Sequence, residues 1–425
     1  MRIIEIPCGR GRQTLSLDER RLRACLTPAP PARPAADQEE IVRQALERPV
    51  GSPRLCEMAR GKRNIVLITS DHTRPIPSAI TLPPYLREIR WGSPEAEITV
   101  LVATGMHRSP TPAEMRAKFS DQVCDTEKIV VHNAFDESAM AYFGILPSGG
   151  ELWLNRLVRD ADLVVSEGFV EPHFFAGYSG GRKSILPGVA AEKTVLYNHN
   201  AAFIRDPLAR QGVLRGNPIH RDMAFAAKAA HLAFILNILL DGDKRIVAAF
   251  AGDPEKAHAE GCAACERMTS VPAAVSDIVI TSNGGYPLDQ NLYQCVKGLA
   301  TAESCVREGG VIILCAGLED GCGGDAFYHW FRDRQDAAQV TRDIQSVPAE
   351  ATTPDQWQAQ ILARVQQKAA CCIVTDEKNR QLIQDMHMRF FSSVNDALAD
   401  AARTLGPDAS VTVIPDGVSV IVRQA

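Results

Sequence analysis

Five short runs of branched apolar residues recur along this chain of 425 residues, and each stops at a polar or glycine-bearing turn. They are Ile65-Val-Leu-Ile-Thr69 before Ser70-Asp71, Ile98-Thr-Val-Leu-Val-Ala103 before Thr104-Gly-Met-His107, and Leu163-Val-Val-Ser166 before Glu167-Gly168. Ile278-Val-Ile-Thr281 precedes Ser282-Asn-Gly-Gly285, and Val311-Ile-Ile-Leu-Cys315 precedes Ala316-Gly317. A continuous apolar run, rather than an alternating one, is what a strand needs when both faces of its sheet are covered, as in parallel sheets. Helical patterns fall between the runs, at Glu39 to Leu46, Glu303 to Arg307, Gln356 to Lys368 and Val394 to Leu405. The alternation predicts an α/β protein, a class that binds its ligands at the carboxyl ends of the strands. Asp71, His107, Gly168 and Asn283-Gly-Gly285 all stand at such ends.

The length predicts two domains. The expected arrangement is two α/β domains with mainly parallel sheets and the active site in the cleft between them. The first runs over residues 1–272, the second over 276–409. The strands of 410–425, around Asp416-Gly417, are expected to return to the first domain as a terminal hairpin. His231 to Asp253 reads as a β-hairpin about Asp241-Gly-Asp-Lys244, and the Ala-rich segment between Pro254 and Pro272 as a helical connection. Pro28 to Pro34 is a proline-rich loop. A formal net charge of −5 gives no electrostatic reason to expect nucleic acid or an acidic membrane as partner. The longest apolar run, His231 to Leu240, is too short to span a bilayer. Met1-Arg-Ile-Ile-Glu-Ile-Pro7 reads as a first strand, without the apolar core of a signal peptide. Twelve scattered cysteines without that signal fit a reducing cytoplasm. Cys262-Ala-Ala-Cys265 has metal-type spacing, but no second pair follows at zinc-ribbon distance.

The densest chemistry lies in His173-Phe-Phe-Ala-Gly-Tyr-Ser-Gly-Gly-Arg-Lys183, with His199 a short way on. Gly177, Ser179 and Gly180 form a turn whose backbone N–H groups can approach a phosphate or a flat cofactor. It is not a nucleoside triphosphate loop, because Arg182 takes the place of the glycine required immediately before the lysine. In isolation the turn would be an exposed one with a solvated Arg-Lys pair. The two phenylalanines and Ser184-Ile-Leu-Pro-Gly188 imply instead a partly buried loop, in which a half-buried lysine becomes a usable nucleophile. Ser70-Asp-His-Thr-Arg-Pro75 groups a carboxylate, a hydroxyl and a guanidinium suited to bidentate capture of a carboxylate or phosphate, though Asp and Thr before proline also make ordinary turns. Gln294 and Lys297 stand three apart on a helix face, where an amide and an ammonium could hold an anionic hydroxy or keto acid. An exposed polar face would look the same.

Taken together, these segments resemble the nickel-dependent lactate racemase family, the nickel-pincer 2-hydroxyacid racemases and epimerases. The resemblance covers essentially the whole chain. It is carried by Ser70 to Pro75, Gly105-Met-His107, His173 to Lys183, His199, Thr281-Ser-Asn-Gly-Gly-Tyr-Pro-Leu-Asp289 and Pro354-Asp-Gln-Trp-Gln-Ala-Gln-Ile-Leu-Ala-Arg364. It implies a nickel ion held by pyridinium-3,5-bisthiocarboxylic acid mononucleotide, the nickel-pincer nucleotide, linked to Lys183. His199 would be the protein's ligand to the metal, and His107 and His173 the paired catalytic bases. Asp71, His72, Thr73 and Arg74, with Gly177, Ser179 and Gly180, would hold the cofactor. Arg74, Tyr293, Gln294, Lys297 and Trp357 would bind substrate.

The implied activity is racemisation of a short 2-hydroxy acid, D- and L-lactate first, by proton-coupled hydride transfer through a 2-keto acid. Malate, a longer or aromatic hydroxy acid, or a sugar acid at C2 are alternative substrates of the same chemistry. Two histidines suit it because the enantiomers present their hydroxyls in different places, and imidazole titrates near neutrality. The resemblance further implies cofactor-maturation enzymes as partners. A nicotinamide dehydrogenase would need a Gly-x-Gly-x-x-Gly turn after an early strand, which is absent. A mere cofactor carrier would need neither base.

Overall fold

The computed structural model describes residues 1–29, 34 and 36–424, so most of the expected Pro28–Pro34 loop lies outside the described residues. The chain divides into two compact units. The first comprises Pro30–Asn198 and Leu208–Met268; the second comprises Met1–Ala29, His199–Pro207 and Thr269–Ala425.

The first unit is built on a six-stranded sheet. Its order is Ile246–Gly252, Leu232–Leu240, Leu163–Phe169, Asn64–Ser70, Glu97–Ala103 and Lys128–Val131. All neighbours run parallel except the first pair, which is the expected hairpin about residues 241–244. Ile65 to Thr69 are all buried, as covered faces require. Helices Gln38–Glu47 and Ser78–Gly92 lay Val42, Leu46, Tyr85 and Ile89 into a core shared with Leu67, Val165 and Phe234. Tyr85 keeps its hydroxyl satisfied there by donating to the Ser166 carbonyl at 3.1 Å. The Ala-rich connection is the helix Lys256–Thr269.

The second unit has an all-parallel sheet in the order Arg389–Phe391, Ala369–Val374, Val306–Cys315, Ser276–Ser282, Val411–Ile414 and Leu22–Cys25. Helices Leu292–Glu303, Gln356–Lys368 and Val394–Leu405 pack on it. The hairpin Arg2–Cys8/Gly11–Leu17 adds Ile6, Leu15 and Leu17 to its core.

Three expectations are corrected. The amino terminus belongs with the second unit, because its alternating hairpin buries one face there and Leu22–Cys25 supplies the sheet's edge strand. Residues 410–425 do not form a hairpin in the first unit. Val411–Ile414, buried at all four positions, fits an interior place in the second sheet, and Ile421–Arg423 pairs in parallel with Ser270–Pro272. The helix expected at Glu303 to Arg307 in fact ends at Glu303, and Val306 already opens a strand. Among the described residues no helix is long and apolar enough to cross a membrane.

Candidate active site

Carboxyl ends of the central strands in the first unit gather most of the residues singled out above. Asn64–Ser70 runs into Asp71-His-Thr-Arg74, and Glu97–Ala103 into the turn that carries His107. Asp71 is buried, and its Oδ2 accepts a hydrogen bond from His107 Nδ1 at 2.7 Å. Its Oδ1 accepts from the Thr73 N–H at 2.9 Å and the Thr73 hydroxyl at 2.6 Å. Burial pushes the carboxyl up, but His107 and Thr73 outweigh it and bring it down to about 2. The ring of His107, held by Nδ1, is otherwise exposed and leaves Nε2 to act.

His173 sits on a two-stranded ribbon, Pro172–His173 against Gly177–Tyr178. Its Nδ1 accepts from the Ala176 N–H at 3.2 Å, which fixes the ring and puts the neutral imidazole's proton on Nε2. Gly177 has a φ of +79°, and a side chain there would strike the Val213 carbonyl. Gly180 has a φ of +76° and closes against Asn237 and the Phe169 carbonyl. Ser179 is buried, its hydroxyl spent on the Phe169 carbonyl at 2.9 Å and on the Glu171 N–H at 2.8 Å. The turn therefore presents Lys183, half-buried with Nζ 5.9 Å from the Phe175 ring centre. The Gly105 N–H donates to the Gly188 carbonyl at 3.0 Å, which ties the His107 turn to the segment after Lys183.

Arg182 and Lys183 are not a solvated pair. Arg182 is buried and donates through Nε to His220 Nδ1 at 3.0 Å and through Nη2 to the Ala176 carbonyl at 2.7 Å. His258 Nε2 lies 3.0 Å from its Nη1. Among the described residues no carboxylate pairs with this guanidinium, and burial lowers it to about 10. Burial, then the charge of Arg182, lowers His220 to about 4 and His258 to about 3, so both imidazoles serve as neutral partners.

Sequence reasoning missed a further set around the Asp71 loop. Lys118, on helix Pro112–Phe119, donates to the carbonyls of Arg74 at 2.9 Å and Ile76 at 3.2 Å. Burial lowers it to about 8 against the opposing pull of Glu167 and Asp71. Glu167, read as a polar strand end, is buried inside its strand and accepts from Thr69 Oγ1 at 2.5 Å and from Thr81 Oγ1. No sequence signal separates these residues from ordinary surface charges.

The second unit carries the remaining candidates. His199 is buried, with the Trp357 ring meeting it edge-on at 5.1 Å between centres. From the same helix as Trp357, Gln360 Nε2 donates to the Ala201 carbonyl at 2.8 Å. Tyr293, Gln294 and Lys297 lie on helix Leu292–Glu303, all half-buried, and Asn291 caps it by accepting from the Gln294 N–H. Asn283, at the end of strand Ser276–Ser282, donates to the Gln294 carbonyl at 2.8 Å and accepts from the Gly298 N–H at 3.0 Å. That clamp fixes the start of the helix against its strand.

Within the first unit an open cleft of about 570 Å³ lies at the amino ends of the strands, lined by Met58, Lys62, Phe143, Leu163, His231 and Ala233 among others. None of the expected site residues reaches it. Asp71 and His107 stand at the carboxyl ends instead.

Residues 8–212 match the lactate racemase N-terminal domain and residues 271–422 the lactate racemase C-terminal domain. The chain is 50% identical over 422 residues to a lactate racemase of Thermoanaerobacterium thermosaccharolyticum, covering 99% of both chains. It is 49% identical over 386 residues to a lactate racemase of Lactiplantibacillus plantarum, covering 91% of each. Its fold superposes on the lactate racemase apoprotein of T. thermosaccharolyticum with a TM-score of 0.97, covering 99% of this chain and 100% of that one. A Thermotoga maritima protein, 16% identical, shares the fold with a TM-score of 0.69 over 94% of this chain and 100% of that one. Two family domains in the expected order, and full-length identity near one half, make this chain a member of the lactate racemase family.

Proposed function

We propose that this protein interconverts D- and L-lactate through pyruvate, using a nickel-pincer nucleotide tethered to Lys183 with His199 as the protein's ligand to nickel. The observation that carries the reading is the Asp71–His107 pair, at 2.7 Å, in a chain half identical to lactate racemases.

The residues present fit the cofactor. Ser70 Oγ and His72 Nδ1 are buried beside Asp71 and have no partner among the described residues, as expected of groups awaiting a phosphate or ribose hydroxyl. Arg74 is exposed on the same loop. An imidazole is a ligand nickel accepts readily, and His199 is buried and backed by Trp357. The mononucleotide would be held by Asp71, His72 and Thr73 and by the Gly177–Gly180 turn. When bound, it supplies an electron-poor ring able to take a hydride from C2 of the substrate and return it.

The chain's own residues do the rest. Arg74 and Lys297 fix the carboxylate, with Gln294 beside Lys297 on one helix face; Tyr293 and Trp357 bound the space for the methyl group. One histidine takes the hydroxyl proton as C2 loses hydride, and a histidine gives a proton back once C2 has presented its opposite face. Asp71 keeps His107 in the tautomer with a proton on Nδ1, so that Nε2 carries the lone pair of a base. Maturation enzymes that assemble the nucleotide are implied as partners.

The test is intact mass and nickel content of protein co-expressed with those enzymes, followed by chirality-resolved turnover of L-lactate. An adduct on Lys183, stoichiometric nickel and D-lactate are expected. Adduct and nickel without lactate turnover would move the substrate to another 2-hydroxy acid. Neither adduct nor nickel, beside a matured control, would overturn the reading.

A further inference from the structure

We infer that Lys118 is a positioning residue for substrate capture, acting through Arg74; this rests on the proposal that Arg74 grips the substrate carboxylate. Helix Pro112–Phe119 braces both loops that carry expected site residues. At its amino end, Glu114 receives Arg108 at 2.6 and 2.8 Å, next to His107, and lies 3.6 Å from His72 Nε2. At its carboxyl end, Lys118 spends two donors on the Arg74 and Ile76 carbonyls.

A lysine at this place is unusual for a merely structural contact. A partly buried ammonium loses hydration that a methionine of similar length would never have needed, so packing alone does not favour it. What methionine lacks is the ability to hold two backbone carbonyls from one point. Those carbonyls flank the turn at Pro75, whose ring removes one N–H donor from the segment. The loop's other internal ties run to Asp71, from Thr73 and from the Arg74 N–H to the Asp71 carbonyl at 3.3 Å, and from the Ser78 N–H to the Ile76 carbonyl at 3.0 Å. Lys118 is thus the side chain that holds the Arg74 and Ile76 carbonyls together from one point. Its charge also lies among the buried carboxylates of Asp71 and Glu167, which gives the ammonium a defined place.

The experiment compares matured wild-type, Lys118→Met, Arg74→Gln and the double variant. KM for both lactate enantiomers should rise about ten-fold or more in Lys118→Met, with the Lys183 adduct mass and nickel content unchanged. In the Arg74→Gln background the same change should cost less than about two-fold, since a residue acting through another loses its effect once that other is gone. Hydrogen exchange of residues 71–78 should accelerate in Lys118→Met while the melting temperature holds. A KM within about two-fold of wild type, an equal penalty in both backgrounds, or unchanged exchange of that segment would each overturn the inference. A wild-type protein that carries the adduct and nickel but leaves lactate untouched would move the substrate to another 2-hydroxy acid instead; the exchange measurement, which needs no substrate, would still decide the bracing role.

Discussion

Asp71 and His107 come from the ends of adjacent parallel strands, and their 2.7 Å hydrogen bond joins a buried carboxylate to an exposed imidazole. An aspartate so placed sets the ring's orientation and its tautomer at once. Asp71→Asn keeps the volume but offers an amide in place of one carboxylate oxygen. We expect kcat to fall by roughly 10²- to 10⁴-fold with the Lys183 adduct and nickel retained. Turnover within a few-fold of wild type would mean that His107 needs no partner.

Acid should weaken the first unit through histidines that fold neutral. His132 is lowered to about 4 by burial, and burial with the nearby Arg182 charge takes His220 to about 4 and His258 to about 3. Each lies below its ordinary value, so as pH falls through about 6.5 toward 4 the unfolded chain binds protons that the folded one refuses. Stability is then full above this window and lost within it, by about 2 kcal/mol for each fully buried histidine between about pH 7 and 5. Urea midpoints at the two pH values should show the drop, and His132→Phe should shrink it. A flat profile in the wild type would refute the assignment.

Trp357 packs edge-on against His199, an arrangement worth about 0.5–1.5 kcal/mol. In Trp357→Ala we expect nickel to leave matured protein more easily, by up to about ten-fold in a chelator competition, with the Lys183 adduct unchanged in mass. Trp357→Phe should behave nearly as wild type. Equal nickel retention in all three would detach Trp357 from the nickel ligand proposed at His199.

Gly298 lies where the helix bearing Gln294 and Lys297 presses on its strand. A side chain there would come within 2.5 Å of Asn283 Oδ1 and 3.1 Å of the Ser282 carbonyl. Gly298→Ala should therefore push the helix off the strand, costing about 1–3 kcal/mol in stability and raising KM for lactate more than it lowers kcat. A variant as stable as wild type, with unchanged KM, would mean the helix can shift freely.

The fold's chemistry was legible wherever it rests on local pattern. Ile65–Thr69 and Ile98–Ala103 read as covered strands because they are continuously apolar, and the polar residues after them fell at the carboxyl ends where Asp71 and His107 meet. The hairpin of residues 232–252 announced itself through Asp241-Gly242. What sequence could not give was partnership at a distance. Arg182 and Lys183 are neighbours of like charge, yet one is buried and the other half-exposed, a difference decided by His220 and His258, 38 and 76 residues further on. Lys118 looks like any helix-end lysine until Arg74, 44 residues earlier, folds its carbonyl against it. The placement of Leu22–Cys25 beside Val411–Ile414 joins the two ends of the chain, and nothing in either four-residue run names the other.

That last pairing bears on how the protein is made. The edge strand Leu22–Cys25 leaves the ribosome long before Val411–Ile414, its one sheet neighbour among the described residues, so it and the apolar hairpin before it must wait through nearly the whole of translation. A nascent chain in that state offers an unpaired strand to other chains, and chaperone demand should concentrate there. The same reasoning governs dissection. A fragment cut at the boundary of the C-terminal family domain, residues 271–422, would leave Val411–Ile414 as a bare sheet edge and should aggregate. Supplying residues 1–29 as a separate peptide should restore its solubility.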